Sequence, residues 1–136
     1  LTPEDNAVIL KVPVKGVYPG DTPIPTGPWT DVPDELDFSQ GKELDFRHID
    51  KCYRVFNAPT LIKWPGSQVS LTMEADNIFK HIIIYSPKDS KDFFAVEPVS
   101  NCNNGFNMAE QGVEDTGTVY LQPGETFMGN ITIKME

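Results

Sequence analysis

Glu97 and the amide-rich stretch that follows it are the first residues of this chain whose types could do chemistry. The largely apolar run 92–96 predicts a strand buried on both faces, and Pro98 predicts that regular pairing stops just after Glu97. Asn101–Asn107 contains four asparagines, whose amides can both donate and accept hydrogen bonds. A carboxylate at the mouth of an apolar strand is partly withdrawn from water, which suits proton transfer. The alternative is an exposed carboxylate that only ends the strand.

Asp50 is the second carboxylate of interest. It lies beside Lys51 and Arg54, where a polar cluster runs into the alternating pattern of a predicted strand at 53–56. If Asp50 and Glu97 face one pocket, they provide two carboxylates to a single ligand. The alternative is that Asp50 is a solvated turn residue.

The elements that must position these residues are short apolar runs separated by turn residues. The chain has 12 prolines and 10 glycines, and it contains no long helical period. The runs predict strands at 7–15, 53–56, 60–64, 67–75, 80–85, 92–97, 113–121 and 127–135. Such spacing is typical of an all-β antiparallel sandwich or barrel. The connection 16–33 is long, but its prolines predict an ordered loop.

Composition excludes several function classes. The chain has 136 residues, enough for one domain, and its formal net charge is −9. Nucleic acids and anionic membranes require clustered Lys and Arg, so we expect neither as a partner. No apolar run approaches the roughly 18 residues of a membrane span.

Cys52 and Cys102 lack a CxxC spacing and are interpreted as free thiols of a reducing compartment, which favours a cytoplasmic location. The first residues show neither the basic start nor the apolar core of a signal peptide, and there is no initiator Met. We therefore expect a processed or partial chain.

Metal and cofactor chemistry have no sequence support. The two histidines, His48 and His81, form no cluster with metal-ligand spacing, and phosphate-loop and dinucleotide motifs are absent from the sequence. We expect no metal and no cofactor.

Four short motifs, in order along the chain, resemble those of the aldose 1-epimerases, or mutarotases. Ile24-Pro25-Thr26-Gly27 resembles the family's I-P-T-G signature, and His48-Ile49-Asp50-Lys51-Cys52-Tyr53 resembles its G-x-D segment. Phe94-Ala95-Val96-Glu97-Pro98-Val99-Ser100 resembles its E-P strand. Leu121-Gln122-Pro123-Gly124-Glu125-Thr126-Phe127 resembles its closing L-x-P-G-E segment. Together they cover nearly all of this chain, but only the C-terminal half of a typical member.

The resemblance implies a galactose mutarotase-like antiparallel β-sandwich. Residues 1–136 would form a single sandwich domain or the C-terminal portion of a larger one. The implied reaction interconverts the α and β anomers of a free hexose. Glu97 would be the catalytic base, and Asp50 would bind the hydroxyls of the monosaccharide substrate.

The resemblance also implies that two histidines of the family's site are missing from this sequence. The family's acid histidine and a second sugar-binding histidine belong to N-terminal motifs that match nothing in this sequence; His48 and His81 fall in other segments. We therefore expect the N-terminal half of the same protein, or another copy of the chain, as a partner. The alternative is a non-catalytic carbohydrate-binding β-sandwich module. Hexose-6-phosphate epimerases also belong to the family, but Lys51 and Arg54 alone do not indicate a phosphate site.

Overall fold

The computed structural model describes residues 7–89 and 92–136, and this part of the chain folds into two antiparallel sheets of short strands. Sheet A has the order β3-β1-β5-β6-β9, and sheet B has the order β2-β4-β7-β8. The strands are β1 (Ile9–Lys11), β2 (Val14–Val17), β3 (Lys42–Glu43), β4 (Ile49–Val55), β5 (Thr60–Trp64), β6 (Val69–Ala75), β7 (His81–Ser86), β8 (Ala95–Val99) and β9 (Ile131–Met135). A 3₁₀ turn at Asp34–Leu36 and the short helix α1 (Gly105–Glu110) complete the elements. The expected all-β antiparallel fold is confirmed. Neither of these helices is long and apolar enough to cross a membrane.

The first predicted strand, 7–15, is two strands in different sheets. β1 pairs with β3 and β5 in sheet A, whereas β2 pairs with β4 in sheet B. The change occurs at Pro13, whose ring fixes the backbone and which has no N–H to donate to a ladder. The crossover therefore joins the two sheets covalently at one end of the sandwich.

Alternation along the strands fills the space between the sheets. Sheet A contributes Leu10 and Ile62, and sheet B contributes Tyr53 and Ile84; Leu10, Tyr53 and Ile84 are fully buried, and Ile62 nearly so. Burying an aliphatic side chain of this size stabilises the fold by about 1.5–3 kcal/mol. Phe38 and Tyr53 meet edge to face, with ring centroids 6.5 Å apart.

The face of sheet A that packs against sheet B extends further than sheet B covers it. Leu10, Ile62, Leu71 and Met135 form one cross-strand row, and exposure along it rises from 0% at Leu10 and 7% at Ile62 to 75% at Met135. On the same face of β9, Ile131 and Ile133 are 42% and 61% exposed. No described residue covers this face of β9, so sheet A presents an apolar strip at its edge.

Two predictions about the later strands were wrong. β8 is an edge strand of half-exposed residues, and Glu97 lies in its middle rather than at its end. Pairing with β7 continues through Pro98 to Val99, because a proline is tolerated where a strand has a neighbour on one side only. The segment 113–121 forms no strand; it crosses the outside of sheet B as a loop.

The buried hydroxyl of Tyr53 allows a test of whether an unpaired polar atom lowers the stability of the core. Tyr53 is fully buried, and its hydroxyl oxygen has no hydrogen-bond partner in the described part of the chain. A buried polar atom without a partner is costly. We expect Tyr53→Phe to leave the free energy of unfolding unchanged or to raise it by up to about 1 kcal/mol in urea denaturation.

Tyr18→Phe is the matched control, because the Tyr18 hydroxyl lies 3.0 Å from a His81 nitrogen and 3.1 Å from the Asp115 carbonyl oxygen. This variant should lose about 1–2 kcal/mol. A comparable loss in Tyr53→Phe would show that its hydroxyl is satisfied in solution.

Candidate functional site

Asp50 and Glu97 lie on the same face of sheet B, the outer face that points away from the core. Asp50 pairs with Tyr85, which pairs with Ala95; one row further along, Ile83 pairs with Glu97. Residues two apart on a strand face the same side, so these rows are neighbours on one surface. The surface between the two carboxylates is called the shelf below.

The separation of the two carboxylates suits a small ring between them. They stand two strands and two residues apart, which places their Cα atoms about 12 Å from each other for ordinary strand spacing and rise. Asp50 is half-buried and Glu97 is exposed. The expectation that Glu97 is partly withdrawn from water is therefore wrong for the described chain, because β8 is an open edge.

Two loops border the shelf. The proline loop, residues 18–29, is held by the amide loop, Asn101–Asn107. The Asn103 side-chain amide donates to the carbonyl of Pro23 at 2.8 Å, and Asn104 donates to Pro25 at 3.5 Å. Asn104 adopts a left-handed conformation with φ of 59°, one that asparagine tolerates better than most residues. Lys51 donates to the carbonyl of Gly20 and so ties the same loop to β4.

A cleft of about 350 Å³ opens between the amide loop and sheet B, next to Glu97. Its floor includes Ile83, the cross-strand partner of Glu97, and Val99, the next residue on that face of β8. The residues that line it are uncharged: Ile83, Val99, Asn101, Cys102, Asn103, Asn104, Gly105, Phe106 and Asn107. Neutral amides beside apolar contacts suit the hydroxyls and C–H faces of a neutral ligand better than a phosphate group.

An ion pair fixes the segment that follows the amide loop. The Asp115 carboxylate accepts from Arg54 Nε at 2.8 Å and from the Trp29 indole at 3.2 Å. Burial alone would raise the pKa of Asp115, but these two donors outweigh it and lower that pKa below its usual range. One carboxylate thus joins the segment 112–118, the proline loop and β4.

His81 lies beneath this ion pair and is fully buried. Its Nδ1 lies 3.3 Å from the Ser100 carbonyl oxygen, which can only accept, so Nδ1 carries a proton and Nε2 faces the Tyr18 hydroxyl at 3.0 Å. Burial is the largest effect on its pKa and lowers it, with the Arg54 charge acting in the same direction. His81 therefore has a structural role beneath the loops, away from the shelf.

The two cysteines are buried, although Cys52 lies on the same outer face of sheet B and Cys102 lines the cleft. Cys52 and Cys102 are free and buried, and they pack with Tyr18 and Met108. Burial raises the pKa of the Cys52 thiol to about 12, and it raises that of Cys102 as well. Neither thiol is poised as a nucleophile. No group of three metal-ligating side chains occurs among residues 7–89 and 92–136.

Sequence reasoning found both carboxylates and the amide loop, but it missed the groups that hold the loops. Asp115 and Arg54 are 61 positions apart, and neither lies in a recognisable motif. The only available signal was the excess of polar residues in a segment, 113–121, that was interpreted as a strand.

The geometry defines a β-sandwich with a two-carboxylate shelf, and comparisons place it in a family. A model of the aldose 1-epimerase family matches residues 9–134. A candidate aldose 1-epimerase from Escherichia coli K12 superposes with a TM-score of 0.78 at 20% identity over 95% of this chain and 45% of its own. A galactose mutarotase-like protein from Clostridium acetobutylicum superposes with a TM-score of 0.81 at 16% identity, over 99% of this chain and 43% of its own.

This chain belongs to the aldose 1-epimerase family. Its sheets have the galactose mutarotase-like fold, as the sequence motifs implied. It spans less than half the length of these two structural relatives.

The buried state of His81 predicts a pH dependence of stability. Because its pKa is lower in the folded than in the unfolded chain, the unfolded chain binds the extra proton first as the pH falls. The contribution of neutral His81 to stability should be fully present above the pKa of a histidine in the unfolded chain, about 6.5. Below that pH the free energy of unfolding should fall by at most about 1.4 kcal/mol per pH unit. Urea denaturation between pH 7.5 and 5 measures this slope.

His81→Gln should flatten the slope over that range, even if it lowers stability overall. His48→Gln is the control, since it replaces a histidine that lies outside the core, with Nδ1 3.1 Å from the Ser86 carbonyl oxygen, and it should keep the slope. An unchanged slope in His81→Gln would assign the dependence to other groups.

Proposed function

We propose that this chain supplies the base half of an aldose 1-epimerase site, which interconverts the α and β anomers of a free hexose. The observation that carries the proposal is the register of β4, β7 and β8, which brings Asp50 and Glu97 to one open shelf. The family match supports the reaction class.

The proposed chemistry follows from the two carboxylates. Glu97 accepts the proton of the anomeric hydroxyl while an acid protonates the ring oxygen, and the C1–O5 bond breaks to give the open-chain aldehyde. Rotation about C1–C2 presents the other face of the aldehyde, and the reverse proton transfers close the ring as the second anomer. Asp50 accepts hydrogen bonds from other hydroxyls and holds the sugar during the rotation.

Neither histidine among the described residues is placed to act as the acid beside Glu97. His81 is buried beneath the loops. His48 lies on the shelf side of β4, but four residues along the strands and two strands across from Glu97, so their Cα atoms are about 16 Å apart. A base that acts on the anomeric hydroxyl and an acid that acts on the ring oxygen must both reach the same sugar ring. We therefore propose that the N-terminal half of the same protein contributes the acid and that residues 1–136 are the C-terminal portion of a larger sandwich.

The exposed strip on β9 is the proposed contact with that half. Ile131, Ile133 and Met135 continue the core face of sheet A beyond its cover. Both structural relatives are more than twice as long as the part that this chain covers, so they contain the additional chain that such a contact needs.

Replacing the base tests the catalytic proposal. In the protein that contains both halves, Glu97→Gln should lower the rate of mutarotation, followed by polarimetry, by at least about 10²-fold, because a positioned base contributes this much or more. Asp50→Asn should mainly raise KM. Glu43→Gln, on β3 in the opposite sheet, is the matched control and should behave as wild type. Wild-type activity in Glu97→Gln would remove Glu97 from the mechanism.

A charge on β9 tests the partner proposal. Ile133→Lys should reduce association of this chain with its separately expressed other half by at least about tenfold, since it places a charge in an apolar contact. Thr132→Lys, on the opposite face of the same strand, should associate normally. Native mass spectrometry distinguishes the heteromeric complex from a dimer of the 15.2 kDa chain, which would instead support a second copy as the partner.

A non-catalytic sugar-binding module is the second candidate function. No histidine among the residues that the structure describes lies within reach of Glu97, and this favours it. Such a module would bind hexoses as the isolated chain without accelerating mutarotation, even when the other half is present.

A further inference from the structure

The start of the amide loop rests on a short segment that follows it in the chain. The backbone N–H of Cys102 donates to the carbonyl of Thr116 at 2.9 Å. Gly117 has a φ of 78°, and a Cβ atom at this position would overlap the carbonyl oxygen of Ser100. Residues 115–117, called the bracing segment here, therefore contact the backbone of the loop where it leaves β8.

The bracing segment is anchored to sheet B by an ion pair. Asp115 accepts from Arg54, and the two side chains are 33% and 15% exposed. Arg54 is itself fixed, because its Nη1 atom donates to the carbonyls of Val55 at 2.7 Å and Lys80 at 3.1 Å. A hydrogen bond between charged groups is stronger than one between neutral groups. The ion pair thus ties the bracing segment to the end of β4.

The amide loop in turn borders the cleft beside Glu97. Residues 101–107 line this cleft together with Ile83, the cross-strand partner of Glu97, and Val99. Asp115 lines a different hollow, of about 690 Å³, and lies outside the set of residues that line the cleft. Asp115 therefore acts on a ligand at Glu97 through the position of the loop, without touching the ligand.

We propose that Asp115 is a positioning residue of the shelf: its ion pair with Arg54 holds the bracing segment, and this segment holds the amide loop at the distance from Glu97 that a bound hexose requires. The role toward the sugar rests on the proposed function, whereas the support of the loop does not. Loss of the ion pair leaves Glu97 on its strand, so kcat should change little. The sugar loses contacts that it makes equally in the ground state and in the transition state, so KM should rise.

The two buried cysteines report the opening of the amide loop. Cys102 belongs to the loop, and Cys52 accepts a hydrogen bond from the backbone N–H of Asn103 in that loop. A reagent reaches buried thiols only when the structure opens, so the labelling rate follows the population of the open form. In the protein with both halves, Asp115→Asn should raise the rate at which iodoacetamide labels both thiols by at least about tenfold, because a hydrogen bond between charged groups is lost. Peptide mass spectrometry measures the rate at each cysteine.

The kinetic constants test whether the position of the loop matters to the sugar. With galactose and glucose as probes, Asp115→Asn should raise KM by at least about threefold and change kcat by less than about twofold, since only the closed form of the loop binds well. Arg54→Gln should act in the same direction. The double variant should be no worse than Arg54→Gln alone, because the two residues act as a unit.

Glu114→Gln is the matched control. It removes a carboxylate from the neighbouring residue, which is exposed and makes no ion pair with any described residue. It should keep the wild-type labelling rate and KM. Ile62→Val controls for overall stability, since it removes a methyl group from the core side of sheet A, away from the loops. If labelling depends on the free energy of unfolding alike in Ile62→Val and Asp115→Asn, the loop is not held locally and the proposal is overturned.

The outcomes separate the positioning role from the proposed function. Unchanged labelling in Asp115→Asn, or faster labelling with unchanged KM, would overturn the positioning role and leave the epimerase proposal standing. If the unmodified protein does not mutarotate either sugar, the epimerase proposal fails. Calorimetry then replaces KM, and a weaker sugar affinity in Asp115→Asn would still support the positioning role. A protein that neither binds nor converts either sugar would overturn both.

Discussion

The register of three antiparallel strands is the constraint on which the rest of the site depends. β7 pairs with β4 on one side and β8 on the other, and its fully buried Ile84 faces the core between them. Because side chains alternate with a period of two, fixing Ile84 inward fixes Asp50 and Glu97 outward. A slip of one residue in either pairing would bury a carboxylate and expose an apolar side chain. The hydrophobic core therefore sets the geometry of the proposed chemistry.

The loops over sheet B depend on a second, smaller set of contacts. A single carboxylate, Asp115, holds together parts of the chain that are far apart in sequence, and the hydrogen bonds of Asn103 and Asn104 join the proline loop to the amide loop. The connection that follows β2, residues 18–33, is thereby given a fixed position. Loops without regular pairing need such side-chain contacts, because their backbone groups supply few of their own.

Much of the fold follows from local sequence, and the site follows from it only in part. Alternation at Val69, Leu71 and Met73 and the turn residues between runs predicted an all-β antiparallel sandwich or barrel. The E-P and G-x-D motifs indicated the two carboxylates and, through the family resemblance, the sandwich. The crossover at Pro13 and the edge position of β8 were not predictable, because strand order depends on contacts between distant segments. The same holds for Asp115 and Arg54, which meet only once the strand register is set.

Pro98 has a consequence for how this fold avoids polymerising. An edge strand with free N–H and C=O groups is a template on which another chain can add a strand. On β8 the proline removes one donor from that template, and the outward carboxylate of Glu97 adds a charge beside it. β9, one of the two edge strands of sheet A, has neither a proline nor a carboxylate in its five residues; it carries Lys134 and exposes three apolar side chains. The edges at β8 and β9 therefore differ in their protection against the growth of amyloid-like sheets: β8 has Pro98 and Glu97, whereas β9 has the charge of Lys134 beside an uncovered apolar face.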